Sequence, residues 1–114
     1  MIYLASPYST SNYLVKEQRF ETAEFVTAAL LQRLRIPIYS PIVAFHELAK
    51  KYSLPTDAGY WEKQNTAFLR RATEFYLIKI PGREESKGCQ QELSLARTLQ
   101  LQIHYVDEYG LEVL

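Results

Sequence analysis

A serine, a glycine and a glutamate have the spacing Ser86-x-Gly88-x-x-x-Glu92 where an apolar strand is followed by a helix. In an open α/β sheet, ligands bind at the carboxyl ends of strands, beside helix N-termini whose free N–H groups favour anions. Gly88 and Glu92 share one helical face, and the missing side chain at position 88 lets a ligand reach the carboxylate. The pattern predicts a small-molecule site, although a capped helix with a solvated glutamate would carry the same residues.

The spacing of apolar residues predicts the elements that position this motif. Strands are predicted over residues 1–5, 36–40, 75–80 and 101–106, and helices over residues 15–34, 41–52 and 60–73, with a fourth helix after the motif's serine. Residues 54–59 are predicted to form a loop. Strands that alternate with helices indicate an α/β fold with a small, mainly parallel, doubly wound sheet.

Composition limits the classes of protein that this chain can belong to. Its 114 residues are enough for one domain, predicted to span residues 1–114, and 47% of them are hydrophobic. Thirteen basic residues balance thirteen acidic ones, so the net charge predicts neither a nucleic-acid polymer nor a membrane as partner. The single cysteine, Cys89, rules out an internal disulfide, and the start of the chain has no leader-like segment. A cytoplasmic location is therefore expected.

Six segments in order resemble one known group of proteins. They are MIYLASPYS at the start, Glu17-x-Arg19-Phe20, YSPI at 39–42, LPTD at 54–57, Trp61 and the S-x-G-x-x-x-E motif. Together they resemble small bacterial and phage proteins of unassigned function in the nucleoside 2-deoxyribosyltransferase-like superfamily. That superfamily contains nucleoside deoxyribosyltransferases and hydrolases of 2′-deoxynucleoside 5′-monophosphates, which break the N-glycosidic bond. The resemblance implies a Rossmann-like three-layer sandwich.

The resemblance also implies roles for individual residues. Glu92 matches the glutamate that attacks C1′ of the sugar, a role that suits a carboxylate because the transition state resembles an oxocarbenium ion. Ser6 and Ser86 match two serines that hold the 5′-phosphate. Arg19 could add positive charge to the phosphate, or it could be a surface residue paired with a neighbouring glutamate. Tyr8, together with Trp61 from the third helix, is expected near the sugar or base.

Two departures from the superfamily pattern leave the function open. The superfamily usually places an aspartate four residues after the tryptophan, where it handles the proton that the departing base needs, but this chain has Asn65. An amide can hydrogen-bond a base and cannot deliver a proton. Relatives also tend to have an aspartate just before the third strand, where this chain has Ala72 and Thr73. Glu62 and Glu74 are candidate substitutes, although the favoured interpretation of Glu62 is a solvated helix residue. The chain is therefore interpreted either as an N-glycosidase or deoxyribosyltransferase, or as a nucleotide-binding or sensor domain without turnover.

The sequence has no motif typical of a metal or cofactor site. The histidines and Cys89 lack zinc spacing, and the glycine-rich motifs for dinucleotides and nucleoside triphosphates are missing, so we predict no metal and no cofactor. Cys89 itself is interpreted as a half-buried helix residue rather than a nucleophile.

A homodimer is expected because the first and third long helices carry more apolar residues than one side of a small sheet covers. These residues are Phe20, Phe25, Val26, Leu30, Leu31, Phe68 and Leu69.

Overall fold

The structure of the protein is a computed structural model that describes residues 1–113. Within these residues the strands are β1 (Ile2–Ala5), β2 (Ile38–Tyr39), β3 (Glu74–Ile78), β4 (Gln102–Val106) and β5 (Glu112–Val113). The helices are α1 (Tyr13–Leu34), α2 (Pro41–Tyr52), α3 (Ala58–Leu69) and α4 (Lys87–Thr98). The strands form one sheet in the order β2-β1-β3-β4-β5, in which β5 alone is antiparallel to its neighbour.

The two faces of the sheet carry separate apolar clusters. Along β1, Ile2 and Leu4 point to the face covered by α1, while Tyr3 and Ala5 point to the face covered by α3 and α4. This alternation follows from the two-residue period of a strand, and β3 repeats it. Both faces are buried, as parallel sheets require. The prediction of a three-layer α/β sandwich with a mainly parallel sheet is confirmed.

Each helix begins at a polar side chain that accepts a backbone N–H bond. The four capping residues are Asn12, Ser40, Asp57 and Ser86. In α2, Pro41 takes the first helical position, where its missing N–H costs nothing, and the helix has the predicted bounds.

Helix α3 differs from the prediction at both ends. It begins at Ala58 instead of residue 60, because the Asp57 side chain caps the N–H of Tyr60 at 3.0 Å. It ends at Leu69 instead of residue 73, where the N–H of Ala72 bonds back only three residues to the Leu69 carbonyl. The chain then passes directly into β3, which starts at Glu74. The edge strand β5 was not predicted, since two residues are too short for any alternation to appear.

Part of the apolar surface of α1 and α3 remains outside the core. Phe20, Val26 and Leu30 are buried in the sandwich, whereas Phe25 is 57% exposed and Leu31 is 44% exposed. On α3 the side chain of Leu69 is buried and that of Phe68 is 38% exposed. The homodimer stays a prediction. Among the described residues, no helix combines the length and the apolar character needed to cross a bilayer.

Candidate functional site

A cleft with a volume of about 1150 Å³ opens at the carboxyl end of β1. Its walls come from the loop after β1 and from one side each of α2, α3 and α4. Most of the predicted site residues line it: Ser6, Tyr8, Trp61, Asn65, Ser86, Gly88 and Glu92. A cleft of this size can hold a nucleotide-sized ligand. The fold therefore brings together residues that are up to 86 positions apart in the chain.

The carboxyl group of Glu92 lies in this cleft and contacts the sheet. The hydroxyl of Tyr3, a fully buried residue in β1, donates a hydrogen bond to Glu92 Oε2. Burial raises the pKa of Glu92 to about 7, and the hydrogen bond from Tyr3 only partly offsets this effect. Burial and the neighbouring carboxylate raise the pKa of Tyr3 as well, so its hydroxyl remains a donor. Glu92 is thus a positioned carboxyl group that ionises near neutral pH.

Gly88 keeps the space above this carboxylate open. A Cβ atom at position 88 would lie 3.9 Å from Glu92 Oε1 and 3.4 Å from the Cβ of Ala58 on α3. Both distances are ordinary contacts, so an alanine would fit, but a longer side chain would extend between the two helices. The glycine therefore allows α3 and α4 to approach each other and leaves access to Glu92.

The N-terminus of α4 has the groups expected of an anion site. Ser86 Oγ accepts the N–H of Cys89 at 3.2 Å, and both Ser86 and Lys87 line the cleft. The N–H groups in the first turn of a helix have no acceptor within it, and they favour negative charge. Ser6, which is 8% exposed, donates to the carbonyl of Pro7 at 3.4 Å at the end of β1. Ser86 is therefore a helix cap, and its hydroxyl hydrogen can still donate to a ligand.

Arg19 lies outside the lining of the cleft. Its Nη1 donates to the carbonyl of Tyr8 at 3.4 Å and to that of Ser9 at 3.2 Å. Its guanidinium group also packs on Gly82, where a Cβ atom would lie 2.3 Å from Arg19 Nη2. Arg19 thus joins the loop after β1 to the turn before α4. Its contact with a phosphate stays a prediction, and the geometry supports a role in holding two walls of the cleft.

The side chains of α3 form the wall opposite α4. Asn65 Oδ1 accepts a hydrogen bond from the hydroxyl of Tyr39 at 3.4 Å. Trp61 donates its indole N–H to the carbonyl of Pro55 at 2.8 Å and stacks on Phe45 with 5.0 Å between ring centroids. The indole is therefore held as a rigid flat surface of the kind that binds a planar base.

The two glutamates considered as substitutes for the missing aspartates have different positions. Glu62 lines the cleft and is exposed, so it can reach a ligand. Glu74 begins β3 at the amino edge of the sheet, and its Oε2 lies 2.9 Å from Nε2 of His104. The suggestion that Glu74 serves the cleft is wrong, because the cleft lies at the opposite, carboxyl edge.

A chain of three polar side chains at the cleft was missed by the sequence analysis. The hydroxyl of Tyr8 lies 2.7 Å from Nδ1 of His46, and Nε2 of the same imidazole lies 2.9 Å from Glu17 Oε1. Tyr8 and His46 both line the cleft. The sequence indicated only that His46 follows the YSPI segment, and nothing local linked it to the other two residues.

The neighbours of Tyr8, His46 and Glu17 determine the charge of the Glu17 carboxyl group and of the Tyr8 hydroxyl. Partial burial works to raise the pKa of Glu17, but hydrogen bonds from His46 and Lys50 outweigh it and hold the pKa below its ordinary value. Burial, with the negative charge of Glu17 and Glu47, raises the pKa of Tyr8 to about 12. At neutral pH, Glu17 is therefore a carboxylate and Tyr8 a neutral phenol.

The same region is the best candidate for a cation. Ligand atoms of Glu17, His46 and Glu47 lie within 4.8 Å of one another. Both imidazole nitrogens already have partners, and the ammonium of Lys50 lies 3.3 Å from Glu17 Oε1. This arrangement fits a hydrogen-bonded chain better than a metal cage. The prediction of no metal stays a prediction.

Cys89 lies beneath the cleft in the first turns of α4. Its side chain is 1% exposed, which makes it more buried than the sequence indicated. Burial and the negative charge of Glu92 raise the pKa of the thiol to about 12. A thiol that stays protonated at neutral pH is a poor nucleophile, and Cys89 therefore belongs to the packing of α4 on the sheet.

The fold and the cleft define the class: an α/β sandwich with a ligand-sized site at the carboxyl edge of a mainly parallel sheet. The family model described as "Domain of unknown function (DUF1937)" matches residues 1–108, and the chain belongs to this family. A comparison with curated proteins finds no match. Because the family's description names no activity, the function has to be argued from the site.

Proposed function

We propose that this protein cleaves the N-glycosidic bond of a deoxynucleoside 5′-monophosphate-like substrate, by hydrolysis or by transfer of the deoxyribosyl group to another base. Glu92 attacks C1′ and forms a glycosyl-enzyme intermediate. Ser6, Ser86 and the N-terminus of α4 bind the 5′-phosphate, while Trp61 and Asn65 contact the base. The reaction needs no metal and no cofactor in this proposal, and it takes place in the cytoplasm.

The observation that carries the proposal is the placement of Glu92. Its carboxyl group is oriented by Tyr3, lies in the cleft and is reached over Gly88 from the anion-favouring end of the same helix. A phosphate at the first turn of α4 would bring the attached sugar close to a carboxylate about one helical turn further on. A partly desolvated carboxylate also stabilises an oxocarbenium-like transition state more strongly than a solvated one.

A second candidate is a nucleotide-binding or sensor domain without turnover. The observation that favours it is Asn65, whose amide bonds to Tyr39 in the wall of the cleft and has no proton to give to a leaving base. The two candidates share a binding site and differ in chemistry. Release of free base separates them.

The test is incubation of the protein with the four common deoxynucleoside 5′-monophosphates and their nucleosides, followed by chromatography of the bases. We expect base release from at least one monophosphate, and at least tenfold weaker activity on the matching nucleoside. The Glu92→Gln variant should bind the monophosphate with nearly unchanged affinity and lose turnover. Glu24→Gln, the same change on an exposed part of α1, is the matched control. Binding without base release in the wild type would favour the sensor.

We propose further that the protein is a homodimer. Phe25 and Leu31 on α1 and Phe68 on α3 leave apolar surface exposed that a second copy could cover. Light scattering during size-exclusion chromatography should give about twice the monomer mass of 13.3 kDa. A monomer mass at tens of micromolar protein would reject this part of the proposal.

A further inference from the structure

We infer that the hydroxyl of Tyr8 is the proton donor to the leaving base, and that His46 and Glu17 form the relay that supplies its proton. This inference rests on the proposed function. It fills the role that Asn65 cannot take, and it uses a cluster of side chains that the Glu92 chemistry leaves unused. Tyr8 is the catalytic residue in this account, while His46 and Glu17 are positioning residues that act through it.

The geometry is that of a continuous hydrogen-bonded chain that ends in the cleft. The hydroxyl of Tyr8 and Nδ1 of His46 are 2.7 Å apart, and the second imidazole nitrogen lies 2.9 Å from Glu17 Oε1. These distances are within the range across which protons move between heavy atoms. Tyr8 and His46 line the same cleft as Glu92, so acid and nucleophile open onto one ligand volume.

The hydrogen-bonded side chains of Tyr8, His46 and Glu17 are held rigidly at His46, the buried residue in the middle. His46 is 4% exposed and stacks on Phe20, with ring centroids 4.2 Å apart and planes 20° apart. Its ring meets that of Tyr8 edge-on, at 5.6 Å and 90°. The carboxylate of Glu17 is fixed by Lys50 as well as by the imidazole. A positioned relay needs this restriction, because proton transfer requires aligned partners in the transition state.

The direction of the hydrogen bonds depends on the protonation of His46. A neutral imidazole that donates to Glu17 from Nε2 accepts the Tyr8 hydroxyl at Nδ1, and the phenol hydrogen then points away from a ligand. An imidazolium donates from both nitrogens, so Tyr8 becomes an acceptor from His46 and its own hydrogen is free for the cleft. Tyr8 can therefore act as an acid toward a ligand when His46 is protonated.

In the first half of the reaction, cleavage of the glycosidic bond is coupled to two proton transfers. A carboxylate oxygen of Glu92 forms a bond to C1′ while the C1′–N bond breaks, and the electron pair of that bond stays on the base nitrogen. The base accepts the phenol proton of Tyr8, and Tyr8 takes the Nδ1 proton of His46, which becomes neutral. In the second half, water attacks C1′ and Glu92 departs as a carboxylate. One water proton passes through Tyr8 to His46, which restores the imidazolium.

The test compares two substrates that differ in their need for an acid. One is the deoxynucleoside 5′-monophosphate that the wild type cleaves fastest, and the other is 4-nitrophenyl 2-deoxyribofuranoside 5-phosphate, whose phenolate leaves without a proton. Tyr8→Phe should lower kcat on the nucleotide by roughly 10²- to 10⁴-fold and change kcat on the nitrophenyl substrate by less than about threefold. His46→Gln should have the same pattern, because it leaves Tyr8 in place and removes its proton supply.

The control is Tyr52→Phe, which removes the same hydroxyl from an exposed residue at the end of α2. It should leave both reactions unchanged. Equal losses on the two substrates in Tyr8→Phe, or no loss on either, would overturn the inference while base release by the wild type still upholds the proposed function. A wild type that releases neither base nor nitrophenolate would refute the proposed function and the inference with it.

Discussion

The two histidines of this protein have similar aromatic and acidic neighbours but lie in different parts of the fold, His46 on α2 and His104 on β4. Each imidazole stacks on an aromatic ring: His46 on Phe20 at 4.2 Å, and His104 on Tyr76 at 4.4 Å. In each, Nε2 lies 2.9 Å from a glutamate oxygen; this contact is a hydrogen bond at His46, whereas Nε2 of His104 has no hydrogen-bond partner among the described residues. The two imidazoles also differ at Nδ1. It meets the phenol of Tyr8 in one case, and in the other it meets a second carboxylate 2.6 Å away.

This difference separates a proton relay from a structural clamp. His104 lies between Glu74 on β3 and Glu112 on β5, so it ties the edge hairpin to the sheet. Both of its partners are carboxylates, and neither is in the cleft. His46 instead connects a carboxylate to a phenol, and the phenol belongs to a residue that lines the cleft. A histidine–carboxylate pair gains a chemical role from what its second nitrogen contacts, which is why the pair alone is weak evidence for catalysis.

The largest difference is expected when the same substitution is made at both histidines. His46→Gln should lower nucleotide turnover by at least 10²-fold, because the relay is lost. His104→Gln should leave turnover within about threefold of the wild type. Steady-state base release measures both. A large loss of turnover in His104→Gln would mean that the contacts of His104 with Glu74 and Glu112 also affect the cleft.

The His104→Gln variant should also be less stable than the wild type. Without the imidazole between them, Glu74 and Glu112 repel each other across a partly exposed edge, and β5 loses its side-chain tie to the sheet. A lost pair of this kind costs about 1 kcal/mol, which is a shift of several degrees in Tm for a domain of this size. Thermal unfolding at pH 6 followed by circular dichroism would measure it. An unchanged Tm in His104→Gln would contradict the clamp.

A third expected effect concerns the pH dependence of stability and distinguishes the carboxyl group of Glu92 from that of Glu74. In the folded protein, the pKa of Glu92 is about 7 instead of 4.5, so the fold holds an extra proton between these values. Stability therefore falls as the pH rises through this window, by about 3 kcal/mol at most. Glu92→Gln should be more stable than the wild type at pH 8, and the gain should vanish near pH 4. Glu74→Gln, which loses its histidine partner, should have no such gain.

The fold could be predicted because its signals are local. The alternation along β1 and the capping residue and first-turn proline of α2 are visible in a few neighbouring residues. The S-x-G-x-x-x-E motif likewise predicted Ser86 at the start of the fourth helix and Glu92 on that helix. The edge strand β5 was missed because two residues carry no period.

The contacts that give the site its chemistry could not be predicted in the same way. Tyr3 and Glu92 are 89 residues apart, and Tyr8 and His46 are 38 apart, so each contact depends on how the elements pack in three dimensions. The exposure of Glu62, the backbone contacts of Arg19 and the pairing of Glu74 with His104 likewise follow from packing. Residue types and spacing located the cleft, and only the structure assigned partners within it.

The central claim is that Glu92 forms a covalent bond with the sugar, and mass spectrometry of the digested protein after a rapid quench tests it most directly. The wild type is mixed with the monophosphate that it cleaves, quenched in acid within milliseconds to seconds, and then digested. The account predicts a 2-deoxyribosyl 5-phosphate adduct on the peptide that contains Glu92, with loss of the adduct in Glu92→Gln. Base release with no adduct on that peptide, or an adduct that persists in Glu92→Gln, would contradict the account.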